Sequence, residues 1–283
     1  MILLSTAGFG SMALFAHWAY ADGASPATVV FLRFAIGTLL LGGWLGLRRI
    51  ALPAGRVRRG YLYLGGLYAL TAWCFFSALR HTSSGLAALL LYTYPIFVAL
   101  FAGALGIDRF GRRELLALLL AAGGLLLALG GEHDNFSLSG TAYALSAALI
   151  YAAYVVGSGF LRQADHSSPL AATCVVLLAA ATGNGLAAGL EGFAWPQGLA
   201  GWLACLAIGV FGGVLAIAAF LAGLARIGPT RAALLSTVEP LITLLLGLLF
   251  LDERLTLAQA LGAAGILSAA LLLTWPQRTP ATT

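Results

Sequence analysis

The feature of this chain that most limits its fold is a series of apolar blocks, each about as long as a helix that crosses a bilayer. Roughly 20 apolar residues in an α-helix cross a hydrocarbon core about 30 Å thick. Reading the blocks against turn residues and charges predicts ten spans. They cover residues 2–20, 27–47, 61–80, 85–105, 114–130, 140–161, 169–190, 200–223, 231–250 and 257–275. The sequence therefore predicts an all-α polytopic membrane protein with ten transmembrane helices.

The composition indicates that lipid covers most of the surface. Of the 283 residues, 61% are apolar and only 9% are charged, whereas about 25% of a typical soluble domain is charged. The links between blocks are short, which leaves no room for a soluble domain. The net charge of +5 comes from arginines in scattered turns, so it does not indicate a nucleic-acid partner.

The arginines are distributed very unequally between the two sides of the ten predicted spans. With the amino terminus inside, twelve lie in inside turns or the tail, and only Arg80 and Arg254 lie outside. Positive residues accumulate in cytoplasmic turns. We therefore expect both termini to be cytoplasmic.

The chain also repeats itself at a spacing of 145 residues. Residues 86–95 align with residues 231–240, and Phe75 aligns with Phe220. This predicts two related units, residues 1–135 and 136–283, each with five helices. Because five is odd, the second unit is inverted relative to the first, an arrangement typical of secondary transporters that work by alternating access.

Several of these residues together resemble the EamA-like permeases of the drug/metabolite transporter superfamily. The residues that carry the resemblance are Tyr94-Pro95, Glu239-Pro240, Asp108-Arg109, Asp252-Glu253-Arg254, Gly262 to Gly265, Trp18 and Arg33. The resemblance implies ten helices around a central cavity in a bacterial inner membrane. It also implies export of amino acids or other metabolites without ATP hydrolysis.

Glu239 is the sharpest candidate for substrate contact, because it is the one carboxylate placed deep in a predicted span. A charge at that depth costs at least about 2.5 kcal/mol on insertion scales. The residue either binds a cation, an ammonium group or a proton, or bridges helices as a hydrogen-bonded acid. Tyr94 takes the equivalent position in the first unit, so the two half-sites are chemically unequal. Pro95 and Pro240 remove a backbone donor from each helix and are candidate hinges, or packing bends fixed by the fold.

Aromatic residues give further candidates. Tyr151 and Tyr154 follow helical spacing on the sixth span and are expected to line a cavity, or to pack. Trp73 and Phe76 flank a substrate ring, or belong to the core. Tyr92 and Tyr94 are two residues apart, so we expect them to point to different helix faces and not to line one wall; Tyr94 is the better candidate for a cavity.

Three candidates lie on the first two spans. Arg33 either holds a substrate carboxylate or reaches the interface. His17 and Trp18 lie near the outer end of the first span, where His17 either contacts substrate or is a hydrogen-bonded structural group.

The sequence therefore predicts a secondary transporter that exports amino acids or related metabolites and acts as a monomer on a small-molecule substrate. Uptake or exchange by the same fold is the first alternative. The second is an intramembrane enzyme that uses Glu239 and His17, which the predicted difference in their depths disfavours. The sequence contains no nucleotide-binding loop or zinc motif, so we expect no cofactor and no metal.

Overall fold

The computed structural model describes residues 1–82, 84–107, 111–129, 137–165, 167–250 and 256–274. Every regular element in these ranges is a helix. The elements are α1 (Ile2–Gly10), α2 (Met12–Ala21), α3 (Pro26–Leu47), α4 (Gly55–Leu79), α5 (Ser84–Leu91), α6 (Tyr94–Ala104), α7 (Arg112–Leu129), α8 (Leu138–Ala164), α9 (Pro169–Glu191), α10 (Leu199–Ala207), a π-helical segment (Ile208–Leu215), α11 (Ala216–Ser236), α12 (Glu239–Phe250) and α13 (Leu257–Thr274). The all-helical prediction is confirmed for the described part of the chain.

Seven of the helical stretches in the described residues are long and apolar enough to cross a membrane. Their surface supports that assignment, since Leu100, Leu119, Leu186 and Leu249 are each at least 60% exposed. In a water-soluble protein, so much exposed aliphatic surface would drive association. The predicted turns Asp108-Arg109 and Asp252-Glu253-Arg254 lie outside the described residues.

Two helices start on matching local sequences. Ser25 caps α3 by accepting a hydrogen bond from the Thr28 amide at 3.3 Å, and Pro26 occupies the first turn. Ser168 caps α9 in the same manner, and Pro169 follows it. Serine satisfies a free amide at the helix start, and proline has no amide to leave free there.

The structure differs from the predicted spans at several points, three of which concern the first span, the third span and the turn between the eighth and ninth spans. The third span was expected to begin at residue 61, but α4 begins at Gly55 because its arginines continue the helix instead of ending it. The first span divides at Ser11 into α1 and α2. The predicted turn between the eighth and ninth spans shrinks to one residue, Gly228, whose φ of 79° and ψ of 165° kink α11.

The packing places α4 against α8 and α9, α3 against α9 and the π-helical segment, α1 against α11, and α7 against α13. Glycines allow two of these approaches. A Cβ on Gly124 of α7 would meet the Gly262 carbonyl of α13 at 2.6 Å. A Cβ on Gly213 would meet the Arg33 carbonyl at 3.0 Å. The second contact brings α3 close to the π-helical segment and fixes the position of Arg33.

Candidate functional site

Two helix breaks form the backbone of the candidate site. The first separates α5 from α6 at Tyr92-Thr93, and the second separates α11 from α12 at Thr237-Val238. Each break is followed within three residues by a proline, Pro95 or Pro240. The turn is the same in both places: the Thr93 amide donates to Leu90, and the Val238 amide donates to Leu235. The sequence predicted the kinks, and the structure places them just before the prolines.

Glu239 is the first residue of α12 and is only partly buried. Its carboxylate faces the hydroxyl group of Tyr92, and the charge of Arg33 reaches it. It also lies near enough to Tyr94, Tyr68 and Tyr151 for its charge to act on their hydroxyl groups. The second break therefore supplies a carboxylate, and the surrounding helices supply phenol hydroxyl groups.

A stack of tyrosines stands beside this carboxylate. The ring of Tyr68 on α4 stacks on Tyr154, with centroids 5.0 Å apart, and on Tyr151 at 5.9 Å. Tyr151 meets the edge of Tyr94 at 4.7 Å. Tyr94 is 3% exposed, and its hydroxyl donates to the Ala233 carbonyl at 3.2 Å. The stack joins α4, α6 and α8 into one aromatic wall, which we call the tyrosine stack: Tyr68, Tyr94, Tyr151 and Tyr154.

Arg33 is held on three sides by protein. Its Nε and Nη2 both donate to the carbonyl oxygen of Gly212, at 3.2 and 2.9 Å, and Nη2 also donates to the Tyr68 hydroxyl at 2.9 Å. The guanidinium carbon lies 4.8 Å from the Phe34 ring centroid and 5.4 Å from that of Phe9. A cation over aromatic faces is stabilised by their quadrupoles. Arg33 therefore ties α3 to the π-helical segment and orients Tyr68.

Tyr92 corrects one inference from helical spacing. The sequence argument separated Tyr92 from Tyr94 because two residues on a continuous helix face different ways. The helix is interrupted at Tyr92-Thr93, and the two rings lie 6.4 Å apart with both hydroxyl groups near Glu239. The expectation was wrong because the break changes the direction of the chain between the two residues.

The predicted candidates divide into two groups. The structure brings together Glu239, Tyr94, Tyr151, Tyr154 and Arg33. His17 is exposed on α2, and Trp18 is 42% exposed with its ring against Phe15. Trp73 is 45% exposed and packs on Tyr143, while Phe76 packs on Phe75. Within the part of the chain that the structure describes, the ring contacts of Trp18, Trp73 and Phe76 lie outside the tyrosine stack.

Sequence reasoning missed Tyr68 and Phe34, which lie in the centre of the site. The signal for Tyr68 was available, since a tyrosine in the middle of an apolar span carries a hydroxyl that lipid cannot satisfy. Phe34 gave no such signal, because one more phenylalanine in an apolar span is ordinary.

Two ionic networks lie at helix ends away from the tyrosine stack. Glu114 is 5% exposed and accepts hydrogen bonds from Arg231, with the nearest oxygen and nitrogen 3.0 Å apart. Asp165, which follows α8, accepts from Tyr61 at 2.8 Å, from Arg162 at 2.7 Å and from Ser167. Burial by itself raises the pKa of the Asp165 carboxyl, but the hydrogen bonds from Ser167 and Tyr61 and the charge of Arg162 outweigh it, so that pKa is lowered.

An apolar groove of about 220 Å³ runs beside the first break. It is bounded by α5, α6 and α7, and Tyr92, Pro95 and Thr237 lie among its lining residues. The groove therefore touches both breaks.

Apolar helices around a partly buried carboxylate and a tyrosine stack are typical of an integral membrane protein that handles a small molecule. Comparison with known proteins identifies the class. The model of the EamA-like transporter family matches residues 1–130 and 138–275, and the chain belongs to that family. This confirms the resemblance drawn from the sequence.

Two relatives and one solved structure illustrate the relationship. The chain is 32% identical over 281 residues to the uncharacterized transporter YcbK of Bacillus subtilis (strain 168), covering 94% of this chain and 88% of that protein. It is 29% identical over 251 residues to the threonine/homoserine exporter RhtA of Escherichia coli (strain K12), covering 86% of this chain and 80% of that protein. A crystal structure with 24% identity covers 96% of this chain and 94% of its own chain, with a TM-score of 0.83, and shows the same fold. The family and the named relatives are transporters and not enzymes.

Proposed function

We propose that this protein is a secondary transporter that exports amino acids, binding them between the two helix breaks. The observation that carries the proposal is the Glu239 carboxylate, which faces Tyr92 beside the tyrosine stack. A carboxylate binds an ammonium group, and aromatic faces suit both cations and apolar side chains. Similarity to a threonine/homoserine exporter supports amino acids as the substrate class and export as the direction.

The proposed architecture is ten spans arranged as two inverted five-helix units, residues 1–135 and 136–283. Matching local structure at a spacing of 145 residues supports it. The Gly111 amide donates to the Glu114 side chain at 3.1 Å, and the Thr256 amide donates to the Gln259 side chain at 2.9 Å. The two helix breaks share the same spacing. Ten crossings result when α1 is counted with α2, α5 with α6, α10 and the π-helical segment with the part of α11 before Gly228, and the part of α11 after Gly228 with α12.

The proposed mechanism is alternating access by a monomer. Motion of the two units about the breaks at Pro95 and Pro240 would expose Glu239 first to one side and then to the other. The partly buried state of Glu239 supports this role, because a sealed carboxylate could not exchange ligands.

The proposed location is a bacterial inner membrane with both termini cytoplasmic, which the distribution of arginines supports. Reporter fusions at each end test it. Alkaline phosphatase should be inactive at both termini, whereas green fluorescent protein should fluoresce at both. A carboxyl terminus on the opposite side from the amino terminus would contradict an even number of spans.

Efflux from proteoliposomes tests the function. Vesicles loaded with labelled threonine, homoserine, leucine or phenylalanine should release at least one of them faster than empty-membrane controls. We expect Glu239→Gln to slow that release by about tenfold or more, because a charge-assisted contact to the ammonium group is lost.

Glu191→Gln is the matched control for that variant. Glu191 is a carboxylate at the end of α9, exposed and paired with Arg80, so its substitution should leave efflux unchanged. Efflux that persists in Glu239→Gln at the wild-type rate would exclude Glu239 from the substrate site.

A further inference from the structure

The two charged groups at the candidate site, Arg33 and Glu239, differ in how many of their hydrogen-bonding positions are left for a ligand. Within the described part of the chain, Arg33 is the cation whose charge reaches Glu239. An amino acid carries a positive ammonium group and a negative carboxylate, so a site with both charges can bind the ammonium group, the carboxylate, or both. The hydrogen bonds of Arg33 decide between these cases.

A guanidinium group binds a carboxylate strongly when two parallel N–H groups on one edge are free. In Arg33, Nε and Nη2 donate together to the Gly212 carbonyl, which occupies one edge. The second N–H of Nη2 donates to the Tyr68 hydroxyl, which removes half of the end-on edge. Only Nη1 keeps both hydrogens, so no edge with two free neighbouring donors remains.

The environment of Arg33 is also that of a fixed structural cation. The side chain is partly buried, and its charge is spread over the faces of Phe9, Phe34 and Tyr68, whose centroids lie between 4.8 and 5.7 Å away. Freeing an edge for a ligand would break the hydrogen bonds to Gly212, which help to hold α3 against the π-helical segment.

Glu239 differs on each of these points. Its carboxylate faces one hydroxyl group, that of Tyr92, and the residue is partly exposed at the start of a helix. A carboxylate has about four acceptor positions, so one hydroxyl leaves it able to accept from an ammonium group.

We infer that this site recognises its substrate through the ammonium group, that the substrate carboxylate is dispensable, and that Arg33 is a positioning residue that holds Tyr68. The inference rests on the proposed function and narrows its substrate class to primary amines of amino-acid size. Amino-acid amides belong to that class, whereas N-acetylated amino acids do not.

Ligand-induced thermal stabilisation of the purified full-length protein tests the inference, because it measures binding without passive leakage of the probes. Each parent amino acid of the efflux panel is titrated beside its amide and its N-acetyl derivative. We expect the amide to bind within about threefold of the parent, as for loss of one neutral contact. The N-acetyl derivative should bind about tenfold more weakly or worse, because it lacks the ammonium group.

The Arg33→Gln variant separates positioning from carboxylate recognition. If Arg33 positions Tyr68, binding of the parent and of the amide should weaken by the same factor. If it reads the carboxylate, only the parent should weaken, and the inference would be overturned. Tyr68→Phe keeps Arg33 and removes their hydrogen bond, so it supplies the same comparison should Arg33→Gln fail to fold; it too should weaken parent and amide equally.

Failure of the inference is distinguishable from failure of the proposed function. A parent amino acid that is exported and bound, with an amide that does not bind, contradicts ammonium recognition alone. An N-acetyl derivative that binds as well as its parent does the same. If none of the parent amino acids is bound or exported, the proposed function fails, and the inference falls with it.

Discussion

The two helix breaks use the same backbone turn but carry different chemistry. At the first break Tyr94 is buried, and its hydroxyl donates a hydrogen bond to the Ala233 carbonyl. At the second break Glu239 is partly exposed and faces Tyr92 from the first. The first break therefore contributes a buried aromatic ring, and the second contributes a carboxylate. A repeated fold can keep its hinge geometry in both copies while only one copy carries the group that meets the ligand.

Exchanging the two side chains is the strongest test of that difference. In Tyr94→Glu/Glu239→Tyr the carboxylate would be buried beside the Ala233 carbonyl, two acceptors without a donor between them. We expect a loss of about 3 kcal/mol or more in the free energy of unfolding and no efflux. Thermal unfolding in detergent and proteoliposome efflux measure the two effects. Wild-type stability and transport in the exchanged protein would mean that the breaks are interchangeable.

The anchoring of the two breaks offers a second, smaller contrast. Arg231 pairs with Glu114 near the start of the segment that leads to the second break, whereas the equivalent positions at a spacing of 145 are Leu86 and Gln259. Since Arg231 is 43% exposed on its side chain, we expect Arg231→Gln to cost roughly 1–2 kcal/mol. The same thermal assay measures it.

A double-mutant cycle with Glu114→Gln isolates the pair from the cap that Glu114 forms with the Gly111 amide. Gln259→Ala removes only the equivalent cap at Thr256 and should cost about 0.5 kcal/mol. A coupling energy near zero between Arg231→Gln and Glu114→Gln would show that the ion pair adds nothing to the second break.

Tyr94→Phe tests whether the Tyr94 hydroxyl has only a structural role at the first break. The variant keeps the ring against Tyr151 and removes the hydrogen bond to Ala233, so stability should fall by about 1 kcal/mol. Efflux should change by about threefold or less. A loss of efflux as large as that of Glu239→Gln would place the Tyr94 hydroxyl on the substrate.

The smallest expected effect comes from the prolines. Each lies in the first turn of the helix after its break, where the missing amide has no partner to lose. Pro95→Ala and Pro240→Ala should each lower stability by only about 0.5 kcal/mol, through the unfolded chain. Efflux rates test the proposed hinge role of the two prolines, and we expect both variants to export substrate more slowly than the wild type. A rate that is unchanged in both would leave the prolines as packing bends.

Much of the fold could be predicted from the sequence, because the residues at a helix end show where the helix begins or stops. The predicted span 27–47 is α3 within one residue, since Ser25 and Pro26 mark its start. The predicted start of the third span was wrong by six residues, because arginines were taken to end a helix that they continue. Hydropathy locates the apolar part of a helix, and the helix extends beyond it wherever hydrogen bonding allows.

The site was less predictable, because its assembly depends on where helices cross. Glu239 and Tyr151 were predicted from polar groups placed deep in apolar spans, and the structure places them near each other. Arg33 was also a candidate, but its hydrogen bonds to Gly212, 179 residues along the chain, could not be predicted from either residue. Trp73 was expected to flank a substrate ring or to belong to the core, and it packs on Tyr143 with 45% of its surface exposed.

Gly228 is the one residue that joins the two segments of α11 on either side of its kink. Because a single residue joins these segments, a rotation of the segment before Gly228 is transmitted directly to the residues that lead to Glu239. An epitope inserted at Gly228 would therefore separate the motion of the segment before the kink from that of the residues that lead to Glu239.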